Sequence, residues 1–426
     1  MDSTADTPAD TPASAAAGAA PLATAAPAFA PAPAPAFAPA FAPAPAPASE
    51  HRATVRFVGS GSEYFRIWIV NLLLTLVTLG LYHPFAKVRK LRYFHGATEI
   101  GGHALSFHAN PWAMLRGYLL AGTMLALYAA AGHFSPTAGL VALVIVAALW
   151  PALWHSSLCF RLANTGWRGL RFRFTGSRGG AYGAMLPIGL VFVASVALGV
   201  AFAPEPGEPA GAPEPPLVAA AAMGLLGLAA MAGMPALLWA LRRYQHQHYA
   251  LGGEHSRFAV RLRSYYGVFA LAVLMFLGVM IVAGIGAAIV AAIAMAVAAG
   301  RGAALAALPL AFALLYVVVL ALVGAFVTAR LQNITWNGTR SRHIGFDSQL
   351  GAAALARLNL KNWLLVVLTL GLYLPFAAVA MARLRLEAVT VLFAADPAAL
   401  AAAGAHADES AAGDAAGDLF GFDIGL

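Results

Sequence analysis

Charge is what this chain of 426 residues has least of: only 10% are Asp, Glu, Lys or Arg, against about a quarter in a soluble domain. That scarcity excludes an ordinary water-soluble fold, and with 61% hydrophobic residues and a mean hydropathy of +0.75 the chain belongs in a bilayer. Cysteine is nearly absent too. The single Cys159 allows no intramolecular disulfide and reads as a packing residue. The first 50 residues contain no Lys or Arg, so an ordinary signal peptide with a basic n-region is not expected. Their alternating Ala-Pro run from Pro31 to Ala48 favours polyproline II, giving a disordered tail at 1–52 in which Phe29, Phe37 and Phe41 are incidental. None of the 18 acidic residues falls within a confident span, which weighs against a proton- or sodium-coupled carrier built on carboxylates. Nucleophile-elbow, HExxH, Walker and dinucleotide fingerprints are missing from suitable contexts, so no enzyme and no cofactor are expected.

What is present is a series of apolar runs long enough to cross a hydrocarbon core about 30 Å thick. They lie near 112–131, 138–160, 181–203, 216–241, 265–298 and 303–328, predicting six spans in three helical hairpins. Gly189, Gly199, Gly224, Gly227, Gly278 and Gly284 are expected to let these helices pack closely. Segments 87–116, 161–178, 242–263 and 330–361 each carry five Lys or Arg, whereas 132–137 and 204–215 carry none. The positive-inside rule reads the rich set as cytoplasmic and accounts for the net charge of +8 without nucleic acid.

A repeat frames the spans. NLLLTLVTLGLYHPFAKVRKLRY at 71–93 returns, 291 positions later, as NWLLVVLTLGLYLPFAAVAMARL at 362–384. Each copy is a short apolar run with Gly and Pro four residues apart. If both copies crossed fully, Arg52, Arg56 and Arg66 before the first and Arg383 and Arg385 after the second would lie outside, against the charge rule. The expectation is that each dips in and returns, or lies along the cytoplasmic interface, leaving both termini cytoplasmic; eight true spans is the rival. Between spans, the loops alternate polar and apolar residues around Gly turns, as in Leu170, Phe172 and Phe174, predicting short β-strands. The fold expected is therefore an all-α polytopic membrane domain over 53–395, with short strands in its cytoplasmic loops and a disordered tail at 396–426.

The run FVGSGSEYFRIW, the first TLGLY copy and RYFHGAT together resemble the YjgN-like family of bacterial inner-membrane proteins, a likeness covering about 55–395. The resemblance implies a multi-pass inner-membrane protein and carries over no catalytic or binding residue. The second copy departs from the first at Lys87, Arg89 and Lys90, which become Ala378, Ala380 and Met381. Any task that needs that cluster is therefore done once.

Arginines interleaved with aromatics make Lys87, Arg89, Lys90, Arg92, Arg168, Arg171 and Arg173 the candidates for contact with anionic lipid or another anion. Orientation and interfacial anchoring are the simpler explanation of the same charges. His95, His103, His108, His246 and His248 lack the Cys or carboxylate partners of a metal site, so no metal is expected. His155, near the end of a span, is expected to be bonded to a carbonyl. Two function classes remain open. One is a structural or binding protein engaging anionic lipid or a protein partner through its basic loops; the other is a carrier or channel for an anionic or neutral solute. The first is preferred because the spans hold so few polar groups.

Overall fold

The computed structural model describes residues 51–202, 217–296, 317 and 319–404, all within one unit, Pro45–Leu426. Strand β1 (His51–Phe57) leads into α1 (Gly61–Val77) and α2 (His83–Gly96), and the chain returns through β2 (Thr98–Ile100). The same order of strand, helical pair and strand recurs. It runs β3 (His103–Phe107), α3 (Pro111–Phe134), α4 (Pro136–Ala163) and β4 (Thr165–Trp167), then β5 (Leu170–Phe174), α5 (Arg178–Ala201), α6 (Leu217–His246) and β6 (Tyr249–Leu251). After β7 (Glu254–His255) and β8 (Arg257–Phe258) come α7 (Leu262–Ala296), a π-helical turn at Leu320–Gly324, α8 (Ala325–Asn337) and β9 (Thr339–Arg340). The last unit is β10 (Ile344–Ser348), α9 (Ala352–Leu368), α10 (Leu374–Glu387) and β11 (Val389–Phe393), after which 397–404 form a final helix, α11.

Local chemistry sets the helix starts. Ser60, Asn110, Ser135 and Ser177 each accept a backbone N–H of the first turn, and Pro111 and Pro136 occupy first helical positions where no N–H is needed. Ser135 both ends α3 and caps α4, so that hairpin turns on one residue.

Five helices are long and apolar enough to cross a membrane: α3, most of α4, α5, α6 and the 262–286 part of α7. The sixth expected span, 303–328, lies largely outside the described residues, as do most of the two expected tails; at their inner edges His51 and Arg52 belong to β1 and 397–404 are helical. The expected glycine packing is not what forms. A Cβ added at Gly189, Gly199, Gly224, Gly227, Gly278 or Gly284 would meet nothing within 4 Å, because all six face outward. Close backbone approach occurs instead at the α3–α4 turn, where a Cβ on Gly139 would lie 3.0 Å from the Gly132 Cα.

The all-α expectation is corrected by the strands, which are not isolated loop hairpins. They form one 11-stranded antiparallel sheet in the order β7-β6-β5-β4-β3-β2-β1-β11-β10-β9-β8. Its two ends are consecutive in the chain, separated only by Ser256, whose N–H donates to the Tyr249 carbonyl at 2.8 Å on the β6 side. On the other side of that break, the Ala259 N–H donates to the Gly338 carbonyl at 2.9 Å. Chain continuity through Ser256, rather than a ladder between β7 and β8, thus joins the two ends into a ring, which leaves short strands little exposed edge. Alternation in β1 and β11 buries Ala53, Val55, Phe57, Val389, Val391 and Phe393, while intervening residues such as Arg52, Thr54 and Arg56 point outward. Across the interior, Trp167 of β4 stacks on Phe393 of β11 with ring centroids 5.7 Å apart. All four basic-rich segments of the sequence map onto this sheet and the helix ends beside it.

The two TLGLY repeats are the tips of α1–α2 and α9–α10. Leu79 and Gly80 have φ of 50° and 93°, and Leu370 and Gly371 have 49° and 92°. The Gly80 N–H donates to the Thr75 carbonyl at 2.7 Å, as that of Gly371 does to Val366 at 2.8 Å. Each hairpin leaves the ring and returns to it, since β1 pairs with β2 and β10 with β11.

Candidate functional site

The ring surrounds a half-open chamber of about 830 Å³ that extends between helix ends. Its wall is apolar because the inward register positions are apolar: Val55 faces Ile100, Leu105 faces Trp167, Phe172 faces Leu251, and Phe346 faces Val391. At the helix end the lining changes character. Lys90 and His95 of α2, Arg161 of α4, Gln332 of α8 and Arg385 of α10 all border the chamber. Arg385 is aimed by a reciprocal pair of bonds, its Nε donating to Gln332 Oε1 at 2.8 Å while Gln332 Nε2 donates to the Arg385 carbonyl at 2.9 Å. Burial, then the Arg242 guanidinium, lowers Arg385 from its ordinary value. Tyr249, also on the wall, is raised by burial and opposed by Arg242 and Arg161, so a positive field reaches the upper ring.

Among the described lining residues Glu254 is the one carboxylate, and it is already engaged. Its Oε1 meets His343 Nδ1 at 2.6 Å, and its Oε2 accepts the Ser341 hydroxyl and, at 3.1 Å, the His343 N–H. Burial would raise this carboxyl, but these bonds from Ser341 and His343 outweigh it and hold the group below its ordinary value. The clasp ties β7 to the β9–β10 turn beside the break at Ser256. Beneath the Trp167–Phe393 pair, α11 covers the base of the ring: Leu400 packs on the core cluster and Gly404 lies against Gly252 and Leu170, leaving a smaller space of about 190 Å³.

The seven cations singled out in the sequence separate into three groups. Lys90 lines the chamber, with its Nζ 5.9 Å from the Phe94 ring centroid. Lys87, Arg89 and Arg92 are exposed on α2, where Arg89 Nη1 donates to Asn71 Oδ1 at 3.4 Å. Arg171 and Arg173 project from the outer face of β5, and Arg168, at φ 51° in the β4–β5 turn, lies over the Trp167 ring at 5.6 Å. Sequence reasoning missed Arg161, Arg385 and Gln332. A basic residue near a helix C-terminus is ordinary, and only the ring shows that these three converge.

His95, His103, His155, His246 and His248 each make local hydrogen-bond contacts. His155 does not bond a carbonyl as expected: Tyr244 gives its hydroxyl proton to the Ser177 carbonyl at 2.8 Å, so His155 Nδ1, 2.9 Å away, donates to the Tyr244 oxygen. By the same reasoning His246 Nδ1 donates to Thr339 Oγ1 at 3.0 Å, since that hydroxyl donates to Thr335. His95 and His248 bond carbonyls four residues back, His103 lies 3.1 Å from the Gly101 carbonyl, and no group of three or more metal-ligating side chains occurs among the described residues.

Comparison with known proteins places this architecture. A family model described as bacterial protein of unknown function (DUF898) matches residues 52–419, the whole run of ring and helices. The chain belongs to this family. It is 29% identical over 125 residues to inner membrane protein YjgN of Salmonella typhimurium, covering 29% of this chain and 32% of that protein. To the Escherichia coli K12 protein of the same name it is 43% identical over 51 residues, 12% of this chain and 13% of the relative. The matched stretches thus span a third or less of the relatives' length. No solved structure matches. With five membrane-capable helices and inner-membrane relatives, the chain is a multi-pass protein of the bacterial inner membrane.

Proposed function

We propose that this is a binding protein rather than an enzyme, and that it engages anionic lipid at the cytoplasmic face through cations carried on its first hairpin. The observation that carries this reading is the layout of α1–α2. From Ile67 to Tyr82 there is no ionisable side chain except Tyr82 itself, and the tip residue Leu79 is 94% exposed. A leucine held in the left-handed region and presented outward is suited to hydrocarbon rather than water. At about 1.5 Å per residue, Arg92 falls roughly 14 Å along α2 from His83, near half the thickness of a hydrocarbon core of about 30 Å, and Lys87 and Arg89, roughly 6–9 Å along, reach the same level by extending their side chains. A tip inserted to mid-depth therefore sets Lys87, Arg89 and Arg92 at headgroup level. Gathering of the basic-rich segments on the ring supports a cytoplasmic ring under the positive-inside rule, with both TLGLY hairpins re-entrant, three full hairpins supplying six spans, and Arg171 and Arg173 adding to the basic outer surface. No nucleic acid is involved in this reading.

The test is lipid retention. Each cation near an anionic surface contributes about 1 kcal/mol, so the K87Q/R89Q/R92Q protein, purified in mild detergent, is expected to lose most of its co-purifying phosphatidylglycerol and cardiolipin. Unchanged retention in a folded variant would overturn the reading. The carrier alternative is favoured by one observation, the chamber, and solute uptake into proteoliposomes would support it.

A further inference from the structure

A ring with a largely apolar interior, cations at the helix ends and Arg340 of β9 also on its wall suits an occupant with an apolar part and an anionic part. We propose that the chamber binds a single-chain amphiphile with an anionic head, the chain lying among the inward ring residues and the head at Lys90, Arg161 and Arg385. This site is separate from the outer cations of α2.

Three observations converge on that occupant. The first is volume: about 830 Å³ lies within the range of pockets that hold small-molecule ligands. The chamber opens to solvent between the helix ends, so water can fill its polar end, while the apolar wall of the ring offers water few partners and favours an apolar chain there. The second is the distribution of polarity. From β7 round to β8 each strand pairs with the next in the sheet order, so the lower wall presents side chains such as Leu105, Phe172, Phe346 and Val391. The third is charge. Lys90, Arg161 and Arg385 border the upper end, while Glu254 is occupied by Ser341 and His343. Part of the positive charge answers the carbonyl ends of α2, α4, α8 and α10, which terminate at the ring. Arg385 is an exposed residue whose Nε is fixed by Gln332 where it borders the chamber, which leaves its remaining N–H donors for a head group. Below, the Trp167–Phe393 pair and Leu400 pack together at the base, giving the chain end an apolar floor.

Carboxylate and phosphate heads share this chemistry, and the experiment separates them. The full-length protein in nanodiscs of neutral lipid is titrated with a brominated fatty acid, a brominated lysophosphatidic acid and a brominated monoacylglycerol. Quenching of Trp167, taken as the difference from the W167F protein, reports occupancy. One or both anionic probes are expected to quench Trp167, and the neutral probe to bind at least about tenfold more weakly. R161Q/R385Q should weaken the anionic probe by about tenfold or more, and K90Q serves if the double variant fails to fold. No Trp167-dependent quenching by either anion, equal binding of the neutral probe, or unaltered affinity in the folded variants would overturn the proposal. The K87Q/R89Q/R92Q protein should keep Trp167 quenching whatever happens to its surface lipid, so failure of the surface reading and failure of this one are distinguishable.

Discussion

The α1–α2 and α9–α10 hairpins are built on one plan and differ in what they carry. Both bury their proline and valine, Pro84 and Val88 in one, Pro375 and Val379 in the other, and both tips place a leucine and then a glycine at positive φ. They touch through α1 and α10, where Phe65 and Phe376 lie 5.7 Å apart. The first hairpin, however, gives the buried Asn71 a partner in Arg89, whereas with alanine at 380 the buried Asn362 Oδ1 has no partner among the described residues. An asparagine retained without its cation shows that the shared plan serves the turn and the packing. The cation cluster is an addition made once, which is why the lipid reading rests on the first hairpin alone.

That comparison can be broken most strongly at the tips. Leu79 and Leu370 are 94% and 95% exposed, and if both lie in hydrocarbon, Leu79→Asp and Leu370→Asp should each cost about 2.5–3.5 kcal/mol of membrane-inserted stability. Unfolding in bicelles compared with detergent micelles would read it, and a cost at only one tip would end the equivalence. Next in size, Gly80→Val and Gly371→Val each force a β-branched residue to φ near +90°, an expected loss of about 1–2 kcal/mol. The two losses should agree within experimental error by thermal denaturation.

Smaller effects of opposite sign sharpen the difference. Arg89→Ala makes the first hairpin resemble the second and should destabilise it by about 1 kcal/mol, while Ala380→Arg offers Asn362 a donor and should recover a similar amount. No change in stability on Arg89→Ala would show that the Asn71–Arg89 contact, at 3.4 Å, contributes nothing. The smallest expected effect spares both hairpins. Glu254 is held below its ordinary 4.5, so its contribution is present above the unfolded value and is lost as pH falls through the lower folded value. Glu254→Gln should flatten the acid limb of the stability curve, and hydrogen exchange should place the change at β7 and the β9–β10 turn.

Much of this was legible in order along the chain. Apolar runs reported the helices because a bilayer demands length and low charge, and Gly80 with Pro84 reported a break because one supplies positive φ and the other opens a helix. Leu170, Phe172 and Phe174 announced β5 by alternation alone. The missed elements have a common cause. β1 pairs with β11, joining His51 to Phe393 and Thr54 to Thr390, and no local pattern states which distant strand a short strand will meet.

By itself, the sequence determined a multi-pass membrane protein with two repeated apolar turns, because hydropathy, charge placement and turn chemistry are local properties. Only the tertiary structure decided that the strands close into a ring and that Lys90, Arg161 and Arg385 share its chamber. Closure depends on pairing between residues hundreds of positions apart, and the direction in which a basic side chain points from a helix end is set by the neighbours that pairing brings.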